Sequence, residues 1–258
     1  MKRSAILGFV GVGATIGILI PFAAHQRSSA AVLEPLPTAK KTPLFPTREL
    51  AELDRVVQAR FAVVPRDGNF GYSRVELPRE IHGYFSPNSK AEKAAVSAMA
   101  KRKQDVVFAL VGRQRFAGRS VENGGFRGPL VLTSPFYTGS LKTRAAVIEA
   151  NVAINKITKN APSAKELIPL ADEVFAQAKP ENGKRKQIGG WKVVACPVPA
   201  SSQACVTCHN SMAKAAAKQP DWKGGKPDLV SLHDPLGVAL YCVRTAPKTQ
   251  IAARQTAN

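Results

Sequence analysis

Trp191-Lys192-Val193-Val194-Ala195-Cys196-Pro197-Val198-Pro199 leads into Cys205-Val206-Thr207-Cys208-His209, and Leu236-Gly237-Val238-Ala239-Leu240-Tyr241-Cys242-Val243 closes the region. The first and last runs are short, apolar and bounded by chain breakers. Gly189-Gly190 precedes the first, Pro197 and Pro199 end it, and Gly224-Gly225 turns the chain ahead of the last. That is the pattern of strands on either side of a central pentapeptide. A short helix is expected from Asn210 to Lys218, ended by Pro220. Strands flanking the pentapeptide on both sides argue for a mixed α and β architecture around an antiparallel sheet.

The pentapeptide itself carries chemistry. Two thiols three positions apart, Cys205 and Cys208, lie one helical turn from each other, so both sulfurs can form thioether bonds to the vinyl groups of one haem. His209, directly after the second, offers its imidazole to the iron as proximal ligand. A thioredoxin-type redox pair is the main rival, but Val206-Thr207 is not the usual insert and no βαβ unit begins there. Structural zinc needs four ligands, commonly a second such pair, which this chain lacks. One c-type haem is the expected cofactor.

Outward from there, the N-terminus sets the compartment. Met1-Lys2-Arg3 is a positive start, and Ala5 to Ala24 is uncharged and largely apolar. Residues 1–27 read as a signal peptide or membrane anchor. A stretch of about twenty such residues can span a bilayer, which favours an uncleaved anchor over residues 5–24 with its basic end cytoplasmic. Ser28-Ser29-Ala30 is the alternative cleavage site. Either way the remainder is exported to the periplasmic side, where such haems are attached.

The formal charge of +19 favours anionic partners. For an exported chain these are lipid surfaces or acidic redox or signalling proteins, and nucleic acid is excluded. A basic solvated surface with no particular partner fits equally well. Cys196 and Cys242, outside the motif, are expected as a cross-strand disulfide or as two buried free thiols.

Residues 28–46, with Pro35, Pro37, Pro43 and Pro46, read as an extended tether. Residues 47–245 then form one haem-binding α+β domain, and 246–258 a flexible tail. A helix from Thr47 places Leu50, Leu53, Val57 and Phe61 on one face, with Glu49, Glu52, Asp54 and Arg55 elsewhere. Val63 to Asn88 is a loop containing His82. Capping boxes at Ser89–Glu92 and Ser163–Glu166 open two further helices, the first burying Val96 and Met99, the second Leu167, Leu170 and Val174. Between them, Val106–Val111 and Leu130–Leu132 read as strands, and Val147, Ala150, Ile154 and Ile157 mark a helix face. Glu181 to Lys186 reads as a polar turn.

In its order of strand, Pro-rich connection, Cys-x-x-Cys-His, short helix and Asp-led strand, the chain resembles exported haem proteins of uncharacterised function with a PAS-like sensor fold. The stretches that carry this are Trp191–Pro199, Cys205–His209 and Asp234-Pro235-Leu236-Gly237-Val238-Ala239-Leu240. The resemblance implies a PAS-like antiparallel sheet with flanking helices and a covalently attached c-type haem, with Cys205, Cys208 and His209 as haem residues. Some members of that family bring a cysteine from an early helix to the far face of the iron. No cysteine precedes Cys196 here, so that ligand does not transfer.

Met212 follows His209 on the same helix and can hardly reach round the ring. The distal candidates are therefore His82 or His233, then Met99, Cys196 and Cys242, with an open or water-bound site as the alternative. Electron transfer is the leading function. Haem-based redox or gas sensing is second, and a peroxidase using His233 and Asp234 as an acid-base pair is third.

Overall fold

The computed structural model describes residues 44–62, 85, 87–113, 125–133, 144–177, 183–220 and 226–246. They belong to one compact unit, Thr42–Asn258. In chain order the elements are α1 (Arg48–Ala62), α2 (Lys90–Lys101), β1 (Gln104–Gly112), β2 (Phe126–Thr133), α3 (Arg144–Lys159) and α4 (Ala164–Phe175), followed by β3 (Lys184–Ile188), β4 (Trp191–Pro199), α5 (Gln203–Ala216) and β5 (Pro235–Thr245). The five strands form one sheet in the order β2-β1-β5-β4-β3, every pairing antiparallel.

Successive strand residues point to opposite faces, and here both faces are covered. Val107, Ala109, Val111, Val193, Ala195, Val238, Leu240 and Cys242 face one core, closed by Ala150, Ile154 and Ile157 of α3 and Leu167, Leu170 and Val174 of α4. Val106, Phe108, Val194, Cys196, Val198, Ala239, Tyr241 and Val243 face the other, under Leu50, Leu53 and Val57 of α1 and Met99 of α2. This two-sided burial is why β1, β4 and β5 read as unbroken apolar runs rather than alternating ones. The side chain of Val147 lies outside the described residues.

Both capping boxes form. Glu92 Nα–H donates to Ser89 Oγ at 3.1 Å while the Glu92 carboxylate accepts from Ser89 N–H at 2.9 Å. Glu166 accepts from Ser163 N–H at 2.8 Å. Glu92 also takes both prongs of the Arg60 guanidinium, at 2.6 and 2.8 Å, which ties α1 to the start of α2. Arg60 in turn lies 4.4 Å over the Phe85 ring. Gly128 of β2 sits at φ 133, where a Cβ would come within 3.1 Å of Ala109 and the Phe108 carbonyl, opposite a register shift in β1.

Three expectations are corrected. Lys184–Ile188, read as part of a polar turn, is an edge strand; with one flank unpaired and its side chains largely exposed, it has no apolar signature to show. The helix carrying the pentapeptide begins at Gln203 rather than Asn210. Of the two outcomes expected for Cys196 and Cys242, the structure has the buried free thiols: Cys196 pairs with Ala239 and Cys242 with Val193, on different rungs and opposite faces, which closes off a disulfide between them. Ala246, where a tail was expected to begin, is buried and its N–H donates to the Lys103 carbonyl at 2.9 Å. The leader, most of the 28–46 tether, the remainder of the tail and His82 lie outside the described residues. Among the described residues no helix is long and apolar enough to cross a membrane.

Candidate functional site

Past the two prolines that deprive β4 of N–H donors, Ala200 locks the chain to the approach of β5. Its N–H donates to the Asp234 carbonyl at 2.8 Å, and its carbonyl accepts from His233 N–H at 2.9 Å. Ser202, extended at φ −150 and ψ 158, then caps α5, its hydroxyl accepting from Cys205 N–H at 3.3 Å. The pentapeptide is thereby fixed in the first turns of a helix, which makes the one-turn separation of Cys205 and Cys208 real.

Cys205 is 6% exposed and packs with Ala200, Val206 and Leu236. Cys208 and His209 are half-buried. With helical spacing, Cys205, Cys208, His209 and Met212 share one stripe at the flank of α5. Asn210, on the neighbouring side, binds Val230 in both directions: Nδ2 donates to its carbonyl at 2.9 Å and Oδ1 accepts from its N–H at 2.8 Å. A side-chain amide thus stands in for a strand partner and holds residues 228–231 against the helix. Met212, Leu229 and Leu232 are 45, 47 and 45% exposed, so large apolar side chains are left uncovered along this helix and the segment docked on it.

Burial, and then the nearby positive charge of Arg113, lower the His209 pKa from its ordinary value. The imidazole is therefore neutral at neutral pH, the form that offers a lone pair to a metal. Two thiols one turn apart with a neutral imidazole directly after them are the donor set for a ring held by two thioethers and one axial nitrogen, and the residues fit that group. Among the described residues no three His, Cys, Asp or Glu side chains converge to hold a bare metal ion.

The distal candidates separate. Met99 is completely buried under α1 and α2, and Cys196 and Cys242 are buried in the two sheet cores, so all three are packing residues. His82 falls outside the described residues. His233 is exposed, and its backbone, at φ 70, is bonded to Ala200, which itself packs on Cys205. Left-handed backbone at a residue other than glycine is uncommon and concentrates at functional sites. The Asp234 carboxylate accepts from Ser231 N–H at 2.8 Å.

The expectation that Asp54 lies off the packed face of α1 is also corrected. Asp54 Oδ1 accepts from Cys196 Sγ at 3.4 Å and from Gln58 Nε2 at 3.3 Å, beneath α1. Burial raises the Asp54 pKa despite those bonds, and burial with the Asp54 charge pushes the Cys196 thiol and the Tyr241 phenol well up. The Tyr241 hydroxyl is buried beside Asp54 but lies outside good hydrogen-bonding geometry. The signal was available: Asp54 stands four residues after Leu50 and three before Val57, on the stripe that faces the core. No family model matches the chain, and neither a curated protein nor a solved structure matches it. The chemistry of the site rests on its own residues.

Proposed function

We propose that the chain is an exported monohaem c-type cytochrome, tethered to the membrane by residues 5–24, whose PAS-like α+β domain transfers electrons to or from a periplasmic partner. The observation that carries this is the capped helix α5, which presents Cys205, Cys208 and a neutral His209 on one stripe beside uncovered Met212, Leu229 and Leu232. Bound haem would supply a one-electron couple at its iron. Cys205 and Cys208 would hold it through thioethers and His209 would be the proximal ligand. Ser202 fixes the turn that spaces the thiols, and Asn210 keeps the 228–231 segment against the helix. The net charge of +19 suits an acidic redox partner or an anionic membrane surface.

Haem-based sensing is the second reading, and one observation favours it. His233 sits on an exposed turn with a left-handed backbone, a place from which a distal ligand would exchange readily. His82 is the other distal candidate.

The test is the optical and low-temperature magnetic resonance spectrum of the purified exported domain, oxidised and reduced, with and without carbon monoxide. Low-spin iron indifferent to carbon monoxide is expected of an electron carrier. High-spin iron, or a ligand displaced by carbon monoxide, would transfer the assignment to sensing. Cys205→Ser with Cys208→Ser should abolish covalent haem; haem retained through denaturation would overturn the proposal.

A further inference from the structure

The sheet has two outer flanks and treats them differently. On β2 the flank is met by Phe85, whose N–H donates to the Val131 carbonyl at 3.0 Å. On the other side β4 outruns β3, and the overhang carries Pro197 and Pro199, which have no N–H to offer. Strand β3 keeps its donors, and among the described residues no strand pairs with its outer flank. The register says which groups those are. Gly189-Gly190, with Gly189 at φ 54, is a two-residue turn closed by Ile188 and Trp191. From that pair the bonding of an antiparallel ladder alternates, so Ile188, Lys186 and Lys184 turn their N–H and C=O to β4 while Arg185 and Gln187 turn theirs outward. The two prolines agree with this parity: they alternate with the residues of β4 that bond to β5, so β5 loses nothing by their missing donors.

Side chains alternate as well. Lys184 and Lys186 lie on the α4 side, where Lys184 Nζ pairs with Glu173 at 2.7 Å, and the exposed Arg185 lies with Lys192 on the α1 side. Arg185, Lys186 and Lys192 belong to no ion pair among the described residues. Such charges keep an edge from joining its own kind: two antiparallel β3 strands would set Lys184, Arg185 and Lys186 against one another. They repel only a like strand, and attract one that bears carboxylates. We propose that β3 is a docking edge for an extended acidic segment of a partner protein. The segment adds as a further strand through the N–H and C=O of Arg185 and Gln187, and Arg185, Lys186 and Lys192 select it by charge. The backbone supplies the geometry and the side chains the choice of partner. Nothing in this docking depends on the haem reading.

The experiment titrates the full chain with the end-blocked hexapeptide Glu-Thr-Glu-Thr-Glu-Thr and follows backbone amide exchange residue by residue. Protection of the Arg185 and Gln187 amides is expected, with the Lys186 amide unmoved. The same peptide methylated at every peptide nitrogen keeps its charge and loses its donors, and should bind about tenfold more weakly. Arg185→Glu with Lys186→Glu should also bind the acidic peptide about tenfold more weakly, and prefer Lys-Thr-Lys-Thr-Lys-Thr in its place. Gln187→Pro deletes one outward donor, leaves the charges and the bonds to β4 as they were, and should weaken binding too. Equal affinity for the methylated peptide would mean attraction without strand pairing. No amide protection at millimolar peptide would mean no docking edge. A wild-type dimer abolished by Gln187→Pro, read by sedimentation, would assign the edge to a second copy of the chain. Each of these three results overturns the inference. If the variants fail to fold, the two forms of the acidic peptide decide the matter on the wild-type chain.

Discussion

Glu92 gathers Arg60, Asn88 N–H and Ser89 N–H onto one carboxylate, and these bonds, led by Arg60, lower its pKa from 4.5 to about 2. Because the folded pKa lies below the unfolded one, the stabilisation is present above the unfolded value and is lost as pH falls toward about 2. A shift of this size corresponds to about 3 kcal/mol at neutral pH. Glu92→Gln should therefore lose about that much at neutral pH, with the two denaturation curves converging as the pH approaches about 2. Curves that stay parallel throughout would show that the carboxylate's charge contributes nothing. Asp54 shows how residue-level reading goes astray. It was set apart from the apolar face of α1 because a carboxylate suggests solvent, although it stands four residues after Leu50 and three before Val57. Position won, because Cys196 and Gln58 supply bonds that make burial tolerable.

Helix α5 owes its placement to a few polar side chains, Ser202 at its N-cap and Asn210 in its middle. Asn210→Ala would leave both the N–H and the carbonyl of Val230 without partners, and Val230 is buried. A loss of about 2–3 kcal/mol is expected, measured by chemical denaturation. If α5 docks through Val206 and Ala213 alone, the variant will match wild type. At this scale the legibility of the sequence divides cleanly. The two capping boxes were readable because each satisfies its amides within three residues of chain. The strands β1, β4 and β5 were readable because burial on both faces makes them uniformly apolar. Strand β3 was not, since an edge strand of Lys184-Arg185-Lys186-Gln187-Ile188 has water on one flank and no apolar pattern. The pentapeptide was legible as spacing. The clamp of Asn210 on Val230 was not, because its contacts join residues far apart in sequence.

Across the whole domain, the sheet is a partition between two cores, with Cys196 on the α1 and α2 side and Cys242 on the α3 and α4 side. Burial raises the thiol pKa of both, that of Cys242 to about 12. Neither thiol is a competent nucleophile in the folded state. An alkylating reagent should therefore modify Cys196 and Cys242 only under denaturing conditions, and oxidation should produce no bond between them, as read by intact mass. Modification of either at native pH within minutes would mean that the corresponding helical layer opens.

The strand order has a consequence in time. Strand β5 lies between β1 and β4, yet it is made after both. Until residues 235–245 have been synthesised, β1 with β2 and β4 with β3 are separate hairpins, and neither core can close. Such long-range pairing folds slowly and leaves intermediates exposed. Residues 205–209 emerge before the strand that completes the sheet, so Cys205 and Cys208 stand uncovered while Leu236, which later covers Cys205, has yet to arrive. The topology thereby holds open an interval in which both thiols are reachable, and the arrival of β5 ends it.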